Sequence, residues 1–490
     1  MTERSGRRVL GLTLVLATIL AAIAIPGVAL ATGCHRGSRD RDHDLLPDCW
    51  EPRNGLVVGP RDHLTDKDHD GLLALHEFRL DAAVGGVFDP YQADVANSDH
   101  DGGFIKFGWE VPTLDGWEDF DGDGFVNAAE RVWRTNAASA NSHPTLPATG
   151  CVVVPASVAH DGSRNVTLLL QAVLDTVPDG GCLRFRANGR YRHNGTLRIV
   201  GRNDLTIDGN GAVLFTDRPG VLQAGAANTK RPHVQVIAGQ NITIDDLSID
   251  GPNPSGGYHE IYESEHGFDV KGAIGLTIRN SSVRQVYGDF VYIDDTEWPI
   301  HSGIKVPTTD LLVIDSSFRV AGRQGIGVSG NAVGVRFEGN TFRRVSRSAI
   351  DIEMHLDRTV SQFEVVGNTF QGFRHNWIAA GDGTATDMYF GFNTILGESM
   401  HSKIVPRNLG VTHERWVFEG NVSDTQNAAD SSVFMMAQSR DFTFIGNVQP
   451  MADGGEPVFL LLADVCGITL VDNSFSGMPT LFDPAEPPLC

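Results

Sequence analysis

Two stretches of this sequence space their carboxylates as a twelve-residue calcium loop requires. Asp66, Asp68 and Asp70 precede Gly71 and end on Glu77, while Asp119, Asp121 and Asp123 precede Gly124 and end on Glu130. Such a loop takes oxygen ligands from positions 1, 3 and 5, a carbonyl from 7 and a bidentate glutamate from 12, and glycine at 6 allows the sharp turn. Two further copies depart from that frame. Asp40, Asp42, Asp44, Asp48 and Glu51 keep the spacing with Leu45 at the glycine position; Asn97, Asp99, Asp101 and Gly102 meet their glutamate, Glu110, two positions late. Calcium is expected at the second and fourth loops, with weaker or altered sites at the other two. A solvated acidic linker would account for the charge, but not for the regular return of glycine and glutamate. The formal charge of -22 fits cations as partners and argues against nucleic acid, which calls for a basic stripe.

A second group of reactive side chains recurs on short apolar strands. Phe268/Val270, Val291/Ile293, Ile326/Val328, Ile350/Ile352, Ile378/Ala380, Ile404/Pro406 and Val433/Met435 read as inward pairs, so the residues between and after them face out. One outward column is then Asp269, Tyr292, Gly327, Asp351, Ala379, Val405, Phe434, and its neighbour Lys271, Asp294, Ser329, Glu353, Gly381, Arg407, Met436. The strand entrances add Gly325, Trp377 and Lys403. Asp294 and Glu353 would stand roughly 9.6 Å apart across two strand spacings, and Asp351 and Glu353, alternate on one strand, roughly 6.5 to 7 Å apart. An inverting glycosidase holds its acid and base about 6.5 to 9.5 Å apart. Asp294, Asp351 and Glu353, with Arg323 and His355 beside them, are therefore the candidate catalytic groups. Asp269, Lys271, Tyr292, Trp377, Lys403 and Arg407 are candidate sugar contacts, with Trp298 and His301 nearby. The bland reading is a solvated outer face, because charged side chains also blunt exposed β-surfaces.

What would position these groups is a repeat. Asn340, Asn368, Asn393, Asn421, Asn447 and Asn473 follow one another at intervals of 28, 25, 28, 26 and 26 residues, each in a Gly-Asn-Thr-Phe-like phrase. One coil of three short strands per repeat, stacked about 4.8 Å apart, buries a continuous core that no coil could bury alone. Asparagine suits a tight, left-handed turn and can ladder with its copies above and below. The fold expected is all-β, a right-handed parallel β-helix of about ten coils over residues 150–490. A leucine-rich horseshoe lacks its frame here, and a propeller its period.

Val166, Leu169, Leu170, Val173 and Leu174 predict an amphipathic helix from about 163 to 177, ending before Pro178. The Gly180-Gly181-Cys182-Leu183-Arg184-Phe185 and Leu205-Thr206-Ile207-Asp208-Gly209 segments follow. This order resembles the opening of pectate-lyase-like β-helix proteins, whose first coil is plugged by a helix. That resemblance implies action on a polysaccharide. Of the polygalacturonase phrases only Asp294-Asp295 has a counterpart, and of the lyase metal pair only Asp351-Ile352-Glu353. The acidic region, 35–145, resembles the EF-hand-like loops of thrombospondin type 3 and dockerin modules, which implies a calcium-stiffened spacer.

The N-terminus sets the compartment. Arg4, Arg7 and Arg8, an apolar run from Val9 to Ile25 and Ala29-Leu30-Ala31 read as a signal peptide over 1–31. Lipid attachment at Cys34 or an uncleaved anchor are the alternatives, and only these would bring a membrane. Six cysteines in an exported chain point to disulfides, and proximity suggests Cys34–Cys49, Cys151–Cys182 and Cys466–Cys490 among fifteen connectivities. The expectation is a secreted or cell-surface hydrolase or lyase acting on an extracellular polysaccharide, with calcium in its N-terminal region. The contrary expectation is a non-catalytic glycan-binding or adhesive β-helix on a calcium-stiffened stalk.

Overall fold

The computed structural model describes residues 39–44, 46–49, 51–54, 56–59, 121–136, 139–222, 226–297, 305–406, 408, 410–428, 430–451, 456–476 and 482. The signal segment, the second and third calcium loops, Asp119, Trp298, His301 and Arg407 lie outside them. Among the described residues, no helix is long and apolar enough to cross a membrane.

The chain winds into a right-handed parallel β-helix of three sheets. Sheet A opens with Val152–Val153 and Cys182–Arg184. Sheet B runs from Asp161–Asn165 to Val422–Ser423, and sheet C from Leu197–Val200 to Phe459–Leu461; B and C each have ten strands. Successive coils repeat the order A, B, C, with the plug helix replacing the sheet C strand of the first coil, so strands one repeat apart pair in parallel. Inward side chains stack into files: Phe318, Phe342 and Phe370 lie 4.8 and 5.0 Å apart between centroids, and Phe390, Phe418 and Phe444 5.1 and 4.8 Å. Offset aromatic pairs of this kind contribute about 0.5–1.5 kcal/mol beyond the area they bury.

The asparagine file is a ladder. The side-chain amide of each asparagine from Asn340 to Asn447 donates to the carbonyl of the next, at 2.8 to 3.2 Å, and that same oxygen also accepts the preceding asparagine's backbone N–H. Serine continues the file toward the N-terminus, with Ser316 accepting from Ser281 and donating its backbone N–H to Asn340. One expectation needs correcting. The left-handed residue of this turn is the one before the asparagine, namely Gly339, Gly367, Phe392, Gly420, Gly446 and Asp472. The asparagine is kept for its amide, which satisfies buried backbone groups on two coils. Replacing Asn393 with alanine strands the Asn368 N–H and the Val365 carbonyl, among others. We expect a loss of about 2–3 kcal/mol, read as a lowered midpoint in urea with an unchanged slope.

The plug helix, α2 (Thr167–Thr176), is shorter than expected. Residues 161–165 form the first strand of sheet B instead, and the Asn165 side chain caps the start of the helix by accepting from Thr167. Its Leu170, Val173 and Leu174 close the first coil. Upstream, α1 (Asn127–Trp133) lays Ala128 and Ala129 against Ala172, and the Ser157 hydroxyl donates to the Val132 carbonyl. The Cys151–Cys182 disulfide is formed beside these elements. Cys49 and Cys466 are also disulfide-bonded, with partners outside the described residues.

Candidate functional site

The outward column of sheet C, read from its register, is Arg198, Gln235, Asp269, Tyr292, Gly327, Asp351, Ala379, Lys403, Met435, Leu460. The sequence reading matches it from Asp269 to Ala379 and then slips. Lys403 holds the place expected for Val405, and Met435 that of Phe434, which is buried together with Met436. The cause is Ser402, an inward residue that is polar: its hydroxyl donates to the Met400 carbonyl at 2.8 Å, so it sits in the core and hides the apolar phase. Trp377 is likewise misplaced as a sugar platform. It is wholly buried, edge-on to Phe370, Phe390 and Phe418.

Two hollows of about 300 and 290 Å³ lie along this column. Lys230, Gln235, His266, Asp269 and Lys271 line the first, and Ser329, Asp351, Glu353, His355 and Asp382 the second; Tyr292 and Arg323 border both, so the two form one groove. The fold thus brings together Asp351, Glu353, Arg323, His355 and Tyr292, with Asp269 and Lys271 one hollow away. Asp294 lines neither hollow. It pairs in register with Lys271 and accepts the Asp295 N–H at 2.9 Å. Lys403 lies two strands beyond Asp351, outside both hollows.

Arg323 is the hub. It donates to buried Asp289 at 2.8 Å and to Glu353 at 3.4 Å, with Glu263 at 3.8 Å. Asp289 above all raises its pKa, which keeps the guanidinium charged. Gln324 donates to Asp351 and accepts the Ser348 N–H, fixing the carboxyl. Burial, and then the neighbouring Glu353, raise the Asp351 pKa to about 7 against the pull of Arg323. Burial likewise lifts Asp294 to about 6, although Lys271 opposes the shift. For Lys271 burial favours the neutral amine, but Asp269, Asp294 and Asp295 together push its pKa above the ordinary value. His266 stacks on Tyr292 at 4.4 Å, and its Nδ1 accepts the Asp289 N–H. Burial first, then Arg323 and Lys271, hold it neutral, so its proton is on Nε2.

Asp289, Gln324 and His266 were not singled out in the sequence. All three sit two residues before the first inward residue of their strands, a file continued by Ser348 ahead of Ile350. A column drawn one position earlier than Gly325 would have found them. Gly327 is tied to the same network: a Cβ there would lie 2.4 Å from Asp289 Oδ2. Gly327→Ala should therefore displace Asp289, release Arg323 and cost about 1–3 kcal/mol of stability. A lowered urea midpoint in the purified variant checks this.

Near the N-terminus, the ligand oxygens of Asp42, Asp44 and Glu51 lie within 4.8 Å of one another, as do those of Asp40, Asp42 and Asp48, and those of Asp121, Asp123 and Glu130. Glu51 and Glu130 are fully buried. Burial, then Asp44 and Asp40, lift the Asp42 pKa to about 6. The His43 ring lies against Gly122, so the first and fourth loops touch. An all-oxygen donor set with a buried glutamate at the twelfth position suits a hard cation.

No protein-family model matches the sequence, and no curated protein matches it. Solved structures resembling the fold include the endo-xylogalacturonan hydrolase of Aspergillus tubingensis (13% identity over 64% of this chain and 90% of that one, TM-score 0.41). Another is the A-module of the Azotobacter vinelandii mannuronan C-5 epimerase AlgE4 (14%, 66% and 95%, TM-score 0.41). A third is a tailspike protein of E. coli bacteriophage HK620 in complex with a pentasaccharide (12%, 66% and 60%, TM-score 0.46).

Proposed function

We propose that this protein is an exported glycoside hydrolase acting on an extracellular polysaccharide, with Asp351 and Glu353 as its acid and base. The observation that carries the reading is that both carboxyl groups, alternate on one strand, face a single groove with Arg323 between them and Asp289. Asp351 gives its proton to the glycosidic oxygen as the bond to the anomeric carbon breaks. Glu353 takes a proton from the water that adds to that carbon. Tyr292, stacked on His266, borders both hollows.

Hydrolysis is favoured over elimination because the groove offers two carboxyl groups to share the roles of acid and base, whereas Lys271 and Arg323 are kept charged by carboxylates and the Nδ1 of His266 is occupied by a backbone N–H. Calcium in the first and fourth loops would be held by Asp40, Asp42, Asp44 and Glu51, and by Asp121, Asp123 and Glu130, and would supply rigidity rather than chemistry.

The test is a panel of neutral and acidic polysaccharides, with calcium present, assayed for reducing ends and for the ultraviolet absorbance of unsaturated sugars. New reducing ends without that absorbance are expected. Unsaturated products would overturn the hydrolase in favour of a lyase, and saturable binding with no product would leave a glycan-binding β-helix.

A further inference from the structure

On the outer faces of the coils many arginines meet a carboxylate from the same or an adjacent coil. Arg184 pairs with Asp208, Arg279 with Asp245, Arg284 with Asp250, Arg336 with Glu338 and Glu364, and Arg415 with Asp387. Arginines without such a pair gather most closely in one region. In sheet B the register stacks Arg284 on Arg319 and Arg319 on Arg343, each one strand spacing from the next. Arg344 follows Arg343 on the same strand, and Arg374 lies in the next coil, past the strand Thr369–Phe373. All four of Arg319, Arg343, Arg344 and Arg374 are exposed, and none forms an ion pair with a described carboxylate. Like charges placed directly across a strand pair destabilise a sheet, so this stack is a local cost. The cationic patch stands out further on a chain of formal charge -22.

The patch is continuous with the rim of the groove. Its last member, Arg347, places its guanidinium over the Tyr258 ring at 5.2 Å, and its backbone N–H donates to the carbonyl of Arg323 at 3.1 Å. A file of hydroxyls runs beside the arginines, two residues earlier on each strand: Ser282, Ser317 and Thr341, continued by Thr369 ahead of Gln371. Guanidinium groups repeating about every 4.8 Å along a straight line, with hydroxyl donors alongside, match a linear polymer carrying regularly spaced anions. Surfaces for single-stranded nucleic acid interleave aromatic rings with their cations; here the only ring among the arginines is Tyr258, under Arg347 at one end, and the Arg284–Arg319–Arg343 file has none among the described residues.

We infer that the outer face of sheet B, through Arg319, Arg343, Arg344, Arg347 and Arg374, is a second, non-catalytic binding surface for a linear acidic polysaccharide bearing carboxylate or sulfate groups. It adjoins the groove at Arg347 but does not depend on whether the polymer cut there is charged.

The test uses the full chain, with dextran sulfate and polygalacturonate as acidic probes, dextran as the neutral one, and an oligothymidylate and anionic phospholipid vesicles as competing polyanions. The wild type should bind the acidic polysaccharides and not dextran, and binding should weaken as salt is added. Arg319→Gln combined with Arg343→Gln should weaken it at least about tenfold without lowering the thermal midpoint, because the variant removes like-charge stacking. Arg336→Gln, at a paired arginine on sheet A, and Glu353→Gln, in the groove, should both bind as the wild type does. Unchanged affinity in the double variant, or equal binding of dextran, would overturn the surface. Tighter, patch-dependent binding of the oligonucleotide or the vesicles would overturn the assignment to a polysaccharide.

Discussion

Asp351→Asn is expected to lower turnover by about 10²–10⁴-fold, the usual contribution of a positioned proton donor, while glycan binding and the β-helix circular dichroism spectrum are retained. Asparagine keeps the shape that accepts from Gln324 but has no proton to give. The pH profile carries a second signature. A donor with a pKa of about 7 is active when protonated, so the wild-type rate should fall as pH rises through about 7. The stability sign follows from the same shift. The folded-state pKa lies above the ordinary carboxyl value of 3.8, so the protonated carboxyl contributes stability that is fully present below the unfolded pKa and is lost as pH rises through about 7. Asp351→Asn cannot ionise and should gain in thermal midpoint relative to the wild type above pH 7, with little difference near pH 4. Retention of full activity in this variant would remove Asp351 from the mechanism, whatever its effect on stability.

The periodic part of the molecule was readable because stacking makes it so. A coil cannot add its apolar side without repeating its turn, and the asparagine intervals report that repeat directly in residue numbers. The outward column was readable as long as its inward partners stayed apolar. It failed at Ser402, where one buried hydroxyl satisfied by a local carbonyl imitates a surface residue. Trp377 failed for the opposite reason: indole is equally suited to a core and to a sugar platform, and only the phase of its strand decides which. Asp289 and Gln324 were invisible to alternation because they precede the strand, in the turn, where side-chain direction follows turn geometry and not a two-residue period. Their importance is electrostatic. Asp289 is the group that fixes Arg323, and Arg323 in turn touches Glu353 and offsets part of the burial cost of Asp351. A sequence shows that acids are present; which of them share an arginine depends on three different coils being stacked.

Chelation of calcium should separate the N-terminal region from the rest of the chain in stability. The crowded carboxylates of the first and fourth loops repel one another without a cation, so calcium binding there would be coupled to folding. At a thousandfold excess of calcium over its Kd the bound state gains about 4 kcal/mol, and a chelator removes it. The effect should not stop at the loop. Glu130 is part of α1, whose Ala128 and Ala129 pack on Ala172 of the plug helix and whose Val132 carbonyl accepts from Ser157. Weakening the fourth loop therefore loosens one side of the cap over the first coil, while the asparagine ladder, beginning far from it at Asn340, is untouched. Limited proteolysis followed by mass spectrometry should then show calcium-dependent protection of residues 121–136, partial loss of protection around 150–176, and none beyond Asn340. Glu130→Gln should reproduce the chelated pattern in the presence of calcium. If the cleavage pattern and the unfolding curve are the same with and without chelator, the carboxylates of Asp121, Asp123 and Glu130 are balanced by the protein alone and the loop is not a metal site.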